Sequence, residues 1–190
     1  MKNIFVITLL CVCLTQQCKE KKPVNPDLLL RKSVREFNTW RSENTTIKLN
    51  FTNKDYSKLN LKGANFTSAD LTGAKFLGTD LTGANFQNSR LLGANFSSAI
   101  LRQANFNGAR LNNTIFFNAD LTMSRLNRSQ PVNKVNLTNA VLKAVDFRGM
   151  NITLFLPYNA DMQAAIVDNR WKSSLQRFKI KNFDKIRWAE

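Results

Sequence analysis

From Phe51 to Leu126 every fifth residue is Phe, Tyr or Leu. A beat of five fits neither the period of an ordinary helix nor the alternation of a free strand. Two places before most of these residues stands a small one, among them Ala64, Ala74, Ala84, Ala94 and Ala104. A beat held this long describes a repeat protein, in which no unit buries its apolar side chains alone and stability comes from stacking.

The unit can be read from Ala64-Asn65-Phe66. Alternation along an extended segment sends Ala64 and Phe66 to one side and Asn65 to the other. Two residues remain before the next unit, enough for a tight turn. All seven glycines, from Gly63 to Gly149, lie two places after a central residue. A turn needs positive φ at that point, so each unit is a short edge plus a corner.

Small residue, polar residue, Leu or Phe, then two polar residues: this pattern resembles the pentapeptide-repeat family over about 120 residues. The resemblance implies an all-β solenoid, a right-handed quadrilateral (square) β-helix with four units per coil and the small and central residues inside. Across 47–169 this predicts about six coils, roughly 29 Å long at the usual strand spacing. Folded by fours, Tyr56, Phe76, Phe96 and Phe116 form one aromatic column, and Phe66, Phe86 and Phe106 the column facing it. The outward Asn65, Asn85 and Asn105 should stack as an amide ladder. After Leu126 the beat slips by one residue at Asn127–Pro131 and resumes at Val132, Leu137, Leu142 and Phe147. Later units are ragged, with Met150 and Phe155 at the small position.

The two ends read as helical caps. In 27–46, Leu30, Val34, Phe37 and Trp40 make one apolar stripe on a helix predicted from Asp27 to Arg41, with Asp27 as its N-cap. A membrane-lying helix is the alternative reading of that stripe, given Arg31, Lys32 and Arg35. The segment 170–190 reads as a basic cap, helical through Phe178.

The leader has its own message. Ile4 to Leu14 is an 11-residue apolar stretch, too short to span a bilayer and the right length for a signal-peptide core. It ends just before Cys18 and resembles a bacterial lipoprotein signal in relaxed form, with Leu14 four places before the cysteine and Gln16-Gln17 between. The resemblance implies a signal peptide over 1–17, lipid on Cys18 and a tether over 18–26. An ordinary secretory signal cut nearby is the alternative. All three cysteines lie in this segment, so the exported body has no disulfide and depends on packing.

The formal charge is +15, with 28 Lys and Arg against 13 Asp and Glu and no histidine. Without histidine or a free thiol, His general bases, thiol nucleophiles and most zinc sites are excluded. Asp70, Asp80 and Asp120 read as solvated polar positions of the repeat, because Asp70 and Asp80 fall on opposite faces and Asp80 and Asp120 lie two coils apart. No catalytic residue, metal or cofactor is expected.

Two surface features stand out. Arg90 should lie beneath Arg110, a like-charged pair that an anion would relieve. Ile115 and Phe117 flank Phe116 and should point outward, as a candidate contact for a partner or for another part of the chain. The sequence thus describes a non-enzymatic, exported protein, lipid-anchored in a bacterial cell envelope at the outer membrane or cell surface. Its rigid β-helix would offer a surface to a protein or an anionic polymer, and a homodimer through a cap is a further candidate. The alternatives are a structural scaffold with no ligand and a nucleic-acid-associated protein. The last is disfavoured because the Phe rings point inward, and the basic charge excludes imitation of DNA.

Overall fold

The structure, a computed structural model, describes residues 24–127, 134–151 and 155–190. The leader, Cys18 and most of the Asn127–Pro131 slip lie outside the described residues.

Each repeat folds as its own pattern demands. The amide three places after a central residue donates to that residue's carbonyl, as in Ala64 N to Leu61 O at 3.1 Å and Ala94 N to Leu91 O at 3.0 Å. The residue just before this donor has positive φ, the mark of a type II turn. Glycine supplies that conformation at Gly63, where φ is +68°. Many corners do without glycine: Lys58, Gln103, Met123, Ala144 and Ala164 also sit near +60°. For side chains such as these the left-handed region is unfavourable, by about 1–2 kcal/mol.

Between corners the chain makes a single bridge to the coil above. Parallel bridges join Asn65 to Asn85, Asn85 to Asn105 and Arg90 to Arg110, always twenty residues apart, so four units make one coil. The step becomes twenty-one at Ile115 to Asn136 and Arg125 to Asp146, then returns to twenty at Val141 to Asp161. One extra residue has therefore been absorbed between Arg125 and Val135 without breaking the stack. Short parallel strand pairs continue it: Val135–Asn136 with Phe155–Leu156, and Ile166–Asp168 with Arg187–Ala189.

The interior is filled by the beat. Phe66, Phe76, Phe86, Phe96, Phe106 and Phe116 are fully buried, as are the small residues between them. Within each column the rings stack face to face, with Phe76 and Phe96 at 4.8 Å and 3°, and Phe86 and Phe106 at 4.9 Å and 5°. Across the core they meet edge to face, Phe86 and Phe96 at 5.4 Å and 85°. Both arrangements satisfy the ring quadrupole, and each pair adds about 0.5–1.5 kcal/mol beyond area burial.

The N-terminal segment is two helices, Pro26–Lys32 and Val34–Glu43, where the sequence predicts one. Asn25, one position before Pro26 and two before the predicted cap Asp27, is the N-cap: its side chain accepts from the amides of Asp27 and Leu28. Ser33 breaks the run in extended conformation and caps the second helix by accepting from Glu36 N at 3.2 Å, the Ser-x-x-Glu signature of a capping box. The stripe does not lie bare as a membrane face. Leu30 and Phe37 are buried, and Phe37 packs on Phe51 and Phe66.

These helices also satisfy the open edge of the first coil. The Asn38 side chain accepts from Asn65 N and donates to Gly63 O, both at 2.9 Å, standing in for a missing lower strand. Arg41, buried beneath the stack, donates to the carbonyls of Asn44, Thr45, Ile47 and Thr67. Arg31 lies over the Tyr56 ring at 4.7 Å and donates to Asp55 O. At the other end, helix predicted through Phe178 is confined to a one-turn 3-10 segment and Lys172–Gln176, and the chain closes on the strand Arg187–Ala189. No described helix is long and apolar enough to cross a membrane.

Candidate interaction surfaces

Because the interior is closed by side chains, the polar chemistry lies on four outer faces. Each face is a column of bridge residues flanked by corners. One column runs Asn50, Asp70, Arg90, Arg110 and another Asp55, Lys75, Asn95, Ile115, Asn136. A third runs Asn60, Asp80, Ile100, Asp120, Val141, Asp161, Lys181, and the fourth begins Asn65, Asn85, Asn105, Arg125, Asp146.

The short polar side chains of these columns are spent locally. Asn65, Asn85 and Asn105 each turn their oxygen onto the backbone amide two residues on, at 3.0–3.1 Å. The expected amide ladder is replaced by these turns, because a corner amide of the same unit lies nearer than the next coil's side chain. A side-chain amide pair does bridge coils at a corner, from Asn159 to Asn139 at 2.8 Å.

Asp70, Asp80 and Asp120 make the same turn and also accept from the hydroxyls of Thr72, Thr82 and Thr122. Partial burial works against ionisation of Asp80. The hydrogen bonds from Thr82 and Lys62 outweigh it and hold its carboxyl below the ordinary value. At Asp120 burial is outweighed by Thr122 and Arg102, and at Asp161 by Asn182, Gln163 and Lys143. These are anchored structural carboxylates. No group of His, Cys, Asp or Glu among the described residues is arranged to hold a metal ion.

Arg90 and Arg110 are in-register neighbours and both are exposed. Arg90 turns down toward Asp70 at 3.7 Å. Among the described residues no carboxylate pairs with Arg110. The two cations therefore share one column but differ in neutralisation. Ile115 is half-buried in its column between Asn95 and Asn136, and Phe117 stands at the next corner, 38% exposed. Both point outward, as the alternation requires.

Opposite charges pair directly one coil apart at Asp70 and Arg90, and on a slant elsewhere on the stack. Asp55 and Lys75 are bridge partners without an ion pair between them among the described residues, and Asp55 accepts from Ser57 N instead. Lys62 reaches Asp80 at 3.2 Å, Arg102 reaches Asp120 at 2.5 Å and Lys143 reaches Asp161 at 3.4 Å. Each cation springs from a corner and leans across to the bridge residue eighteen positions later. The regular spacing of these three pairs was present in the sequence as a signal.

The family profile for Pentapeptide repeats matches residues 57–88, 79–116 and 94–129. Over these residues the chain is similar to the Pentapeptide repeats family. Pentapeptide repeats form right-handed quadrilateral β-helices, and the twenty-residue step of the bridges has that four-unit period. Among solved structures the chain is similar to a pentapeptide repeat protein of the Arabidopsis thaliana thylakoid lumen, with 23% identity and a TM-score of 0.44 over 69% of this chain and 77% of that one. It is similar to a pentapeptide repeat protein of the cyanobacterium Cyanothece 51142, with 18% identity and a TM-score of 0.42 over 80% and 97%. A third similar structure is QnrB1, a plasmid-mediated fluoroquinolone resistance protein, with 14% identity and a TM-score of 0.38 over 74% and 80%. No curated protein matches the chain in sequence.

Proposed function

We propose that this chain is a non-enzymatic envelope lipoprotein that presents a rigid β-helix as an interaction surface for a protein or an anionic polymer. The observation that carries the reading is the division of the pentapeptide repeats into an apolar interior and an outer surface that holds nearly all the charge. An excess of cations on a rigid surface attracts anionic partners and raises their encounter rate. The leader ending at Cys18 supports export and lipid attachment, and the helices between the leader and the repeats pack against the Phe51 end of the stack.

Intact mass of the native protein tests the anchor: an acylated chain beginning at Cys18 is expected, and Cys18→Ser removes the acyl mass. Salt titration of binding to an anionic polymer tests the surface, since screening acts on exposed charges. Arg90→Ser with Arg110→Ser should weaken that binding more than Lys48→Ser with Lys143→Ser. Equal losses would indicate general charge attraction, and no binding at low salt would leave a structural scaffold.

A further inference from the structure

One face of the stack carries a second period laid over the first. The cations Lys62, Arg102 and Lys143 recur at every second coil, and so do their partners Asp80, Asp120 and Asp161. Ile100 and Val141 occupy the bridge positions between the carboxylates. On the corner leading into this face, Leu77, Phe117 and Tyr158 recur in the same two-coil beat, while Ser57, Ser97 and Thr138 fill the alternate coils.

Repulsion between stacked carboxylates explains why Asp alternates with Ile and Val. It does not call for a large apolar side chain at the corner in the same beat. Phe117 is 38% exposed, Tyr158 49% and Leu77 38%, and Ile100 adds a further exposed apolar side chain beside them. Among the described residues from Leu77 onward, the large exposed apolar side chains fall on this face or its two corners, with the exception of Leu92. The face is also neutral across its three ion pairs, on a chain of +15.

We infer that this face is a docking track for an extended, uncharged 1,4-linked glycan lying along the stack axis. Two coils span about 9.6 Å at the usual strand spacing. That is close to the length of one disaccharide in an extended 1,4-linked chain, in which alternate rings present the same side. Every second sugar can then lay its apolar C–H face on Leu77, Phe117 or Tyr158. Its hydroxyls meet an ion pair that offers both a donor and an acceptor, and hydrogen bonds to charged groups are the stronger kind. The inference goes beyond the scaffold reading. It needs neither the lipid nor the basic excess, so the two can fail separately.

The test is isothermal titration of the detergent-solubilised full-length protein with oligomers of β-1,4-linked N-acetylglucosamine. The hexamer should bind about tenfold more tightly than the dimer, because it spans several platforms. Affinity should change little with salt, in contrast to any binding of an anionic polymer. Phe117→Ser should weaken the hexamer by about tenfold, equivalent to about 1.4 kcal/mol, and Leu92→Ser, an exposed apolar change at another corner, should leave it unaltered. Phe117 is a surface side chain, so its replacement leaves the core intact, and circular dichroism checks this. Absence of hexamer binding, equal binding of a β-1,3-linked glucan hexamer, or equal losses from Phe117→Ser and Leu92→Ser would each overturn the inference.

Discussion

The coils from Phe51 to Leu121 and those from Val135 to Val167 share one backbone plan and differ in how they are filled. The first region repeats the same ring every second unit, and its Phe columns stack within 10° of parallel from Phe66 to Phe116. The second puts Val135, Val145, Met150 and Phe155 at the small positions and Pro157 and Met162 at central ones. There the aromatic order shrinks to Phe147 against Phe155 at 6.1 Å and 79°. A small apolar void of about 10 Å³ opens among Leu137, Leu142, Phe147, Phe155, Pro157, Met162 and Leu175. Hydrogen-bond geometry is alike in both, with Ala99 N to Phe96 O and Ala140 N to Leu137 O each at 3.0 Å. The backbone plan thus tolerates varied fillings, while close packing needs the strict beat.

The largest expected effect tests that contrast directly. Phe96→Ala removes a ring stacked on two others and met edge-on by two more, and should cost about 5 kcal/mol. Phe147→Ala removes a ring that already borders a void, and should cost nearer 3 kcal/mol. Urea denaturation of the chain from Lys19 to Glu190 measures both. Equal losses would show that ring order adds nothing beyond burial. Asn95→Ala, an outward change beside Phe96, should cost under about 1 kcal/mol.

Next in size is the closed end of the ordered region. Arg41→Ala withdraws a buried guanidinium from four carbonyls and should cost about 2–3 kcal/mol. Hydrogen exchange should show the loss in the coil of Thr67 and not around Ala140. Uniform loss of protection along the chain would mean that the stack melts as one unit.

The interior was legible in the sequence because a solenoid core is nearly a one-dimensional code. The beat placed Phe66 in the column facing Tyr56, and the alternation sent Ala64 inward and Asn65 outward, from local spacing alone. What stayed hidden depends on edges and angles. Nothing in the sequence assigns Asn38 the work of a missing strand, since that role exists only once a helix lies against Gly63 and Asn65. Ser33 followed by Glu36 did mark a helix start, but the apolar stripe runs through it and masks the break. The sequence places Arg90 beneath Arg110 one coil apart, whereas a long side chain rising from a corner reaches the slanted neighbour first. Of the candidate surface, the outward setting of Arg90, Arg110, Ile115 and Phe117 was readable, as was the stacking of Arg90 beneath Arg110.

Acid should weaken both regions together. Asp80 and Asp120 lie in the ordered coils and Asp161 in the ragged ones, and all three are held below the ordinary carboxylate value of about 3.9. A carboxyl depressed on folding contributes stability that is complete above about pH 4 and is lost as pH falls through its folded value. Each pair is partly exposed, so the loss should be about 1 kcal/mol or less per pair. Denaturation midpoints measured from pH 6 down to pH 2 should decline below about pH 4. Asp120→Asn and Asp161→Asn should each flatten that decline by a similar amount. Flattening in only one variant would place the acid sensitivity in one region.

The smallest effect runs in the opposite sense and would narrow the gap between the regions. Ala144 and Ala164 hold φ of 54° and 58° at corners of the ragged coils, where the ordered coils have Gly63, Gly73, Gly83 and Gly93. A side chain in that conformation costs about 1–2 kcal/mol. Glycine removes the clash but adds about 0.5–1 kcal/mol of unfolded-state freedom. The balance favours glycine by about 0.5 kcal/mol, which makes Ala144→Gly and Ala164→Gly stabilising where most changes in a packed stack are not. Thermal denaturation should register a rise of a few degrees when the two are combined. The same change in a corner that already holds asparagine, Asn113→Gly, should gain less, because asparagine tolerates the left-handed region. No rise from either alanine would mean that the corners relax their strain into the loosely filled core, and the void beside Leu142 would then be the place to look for it.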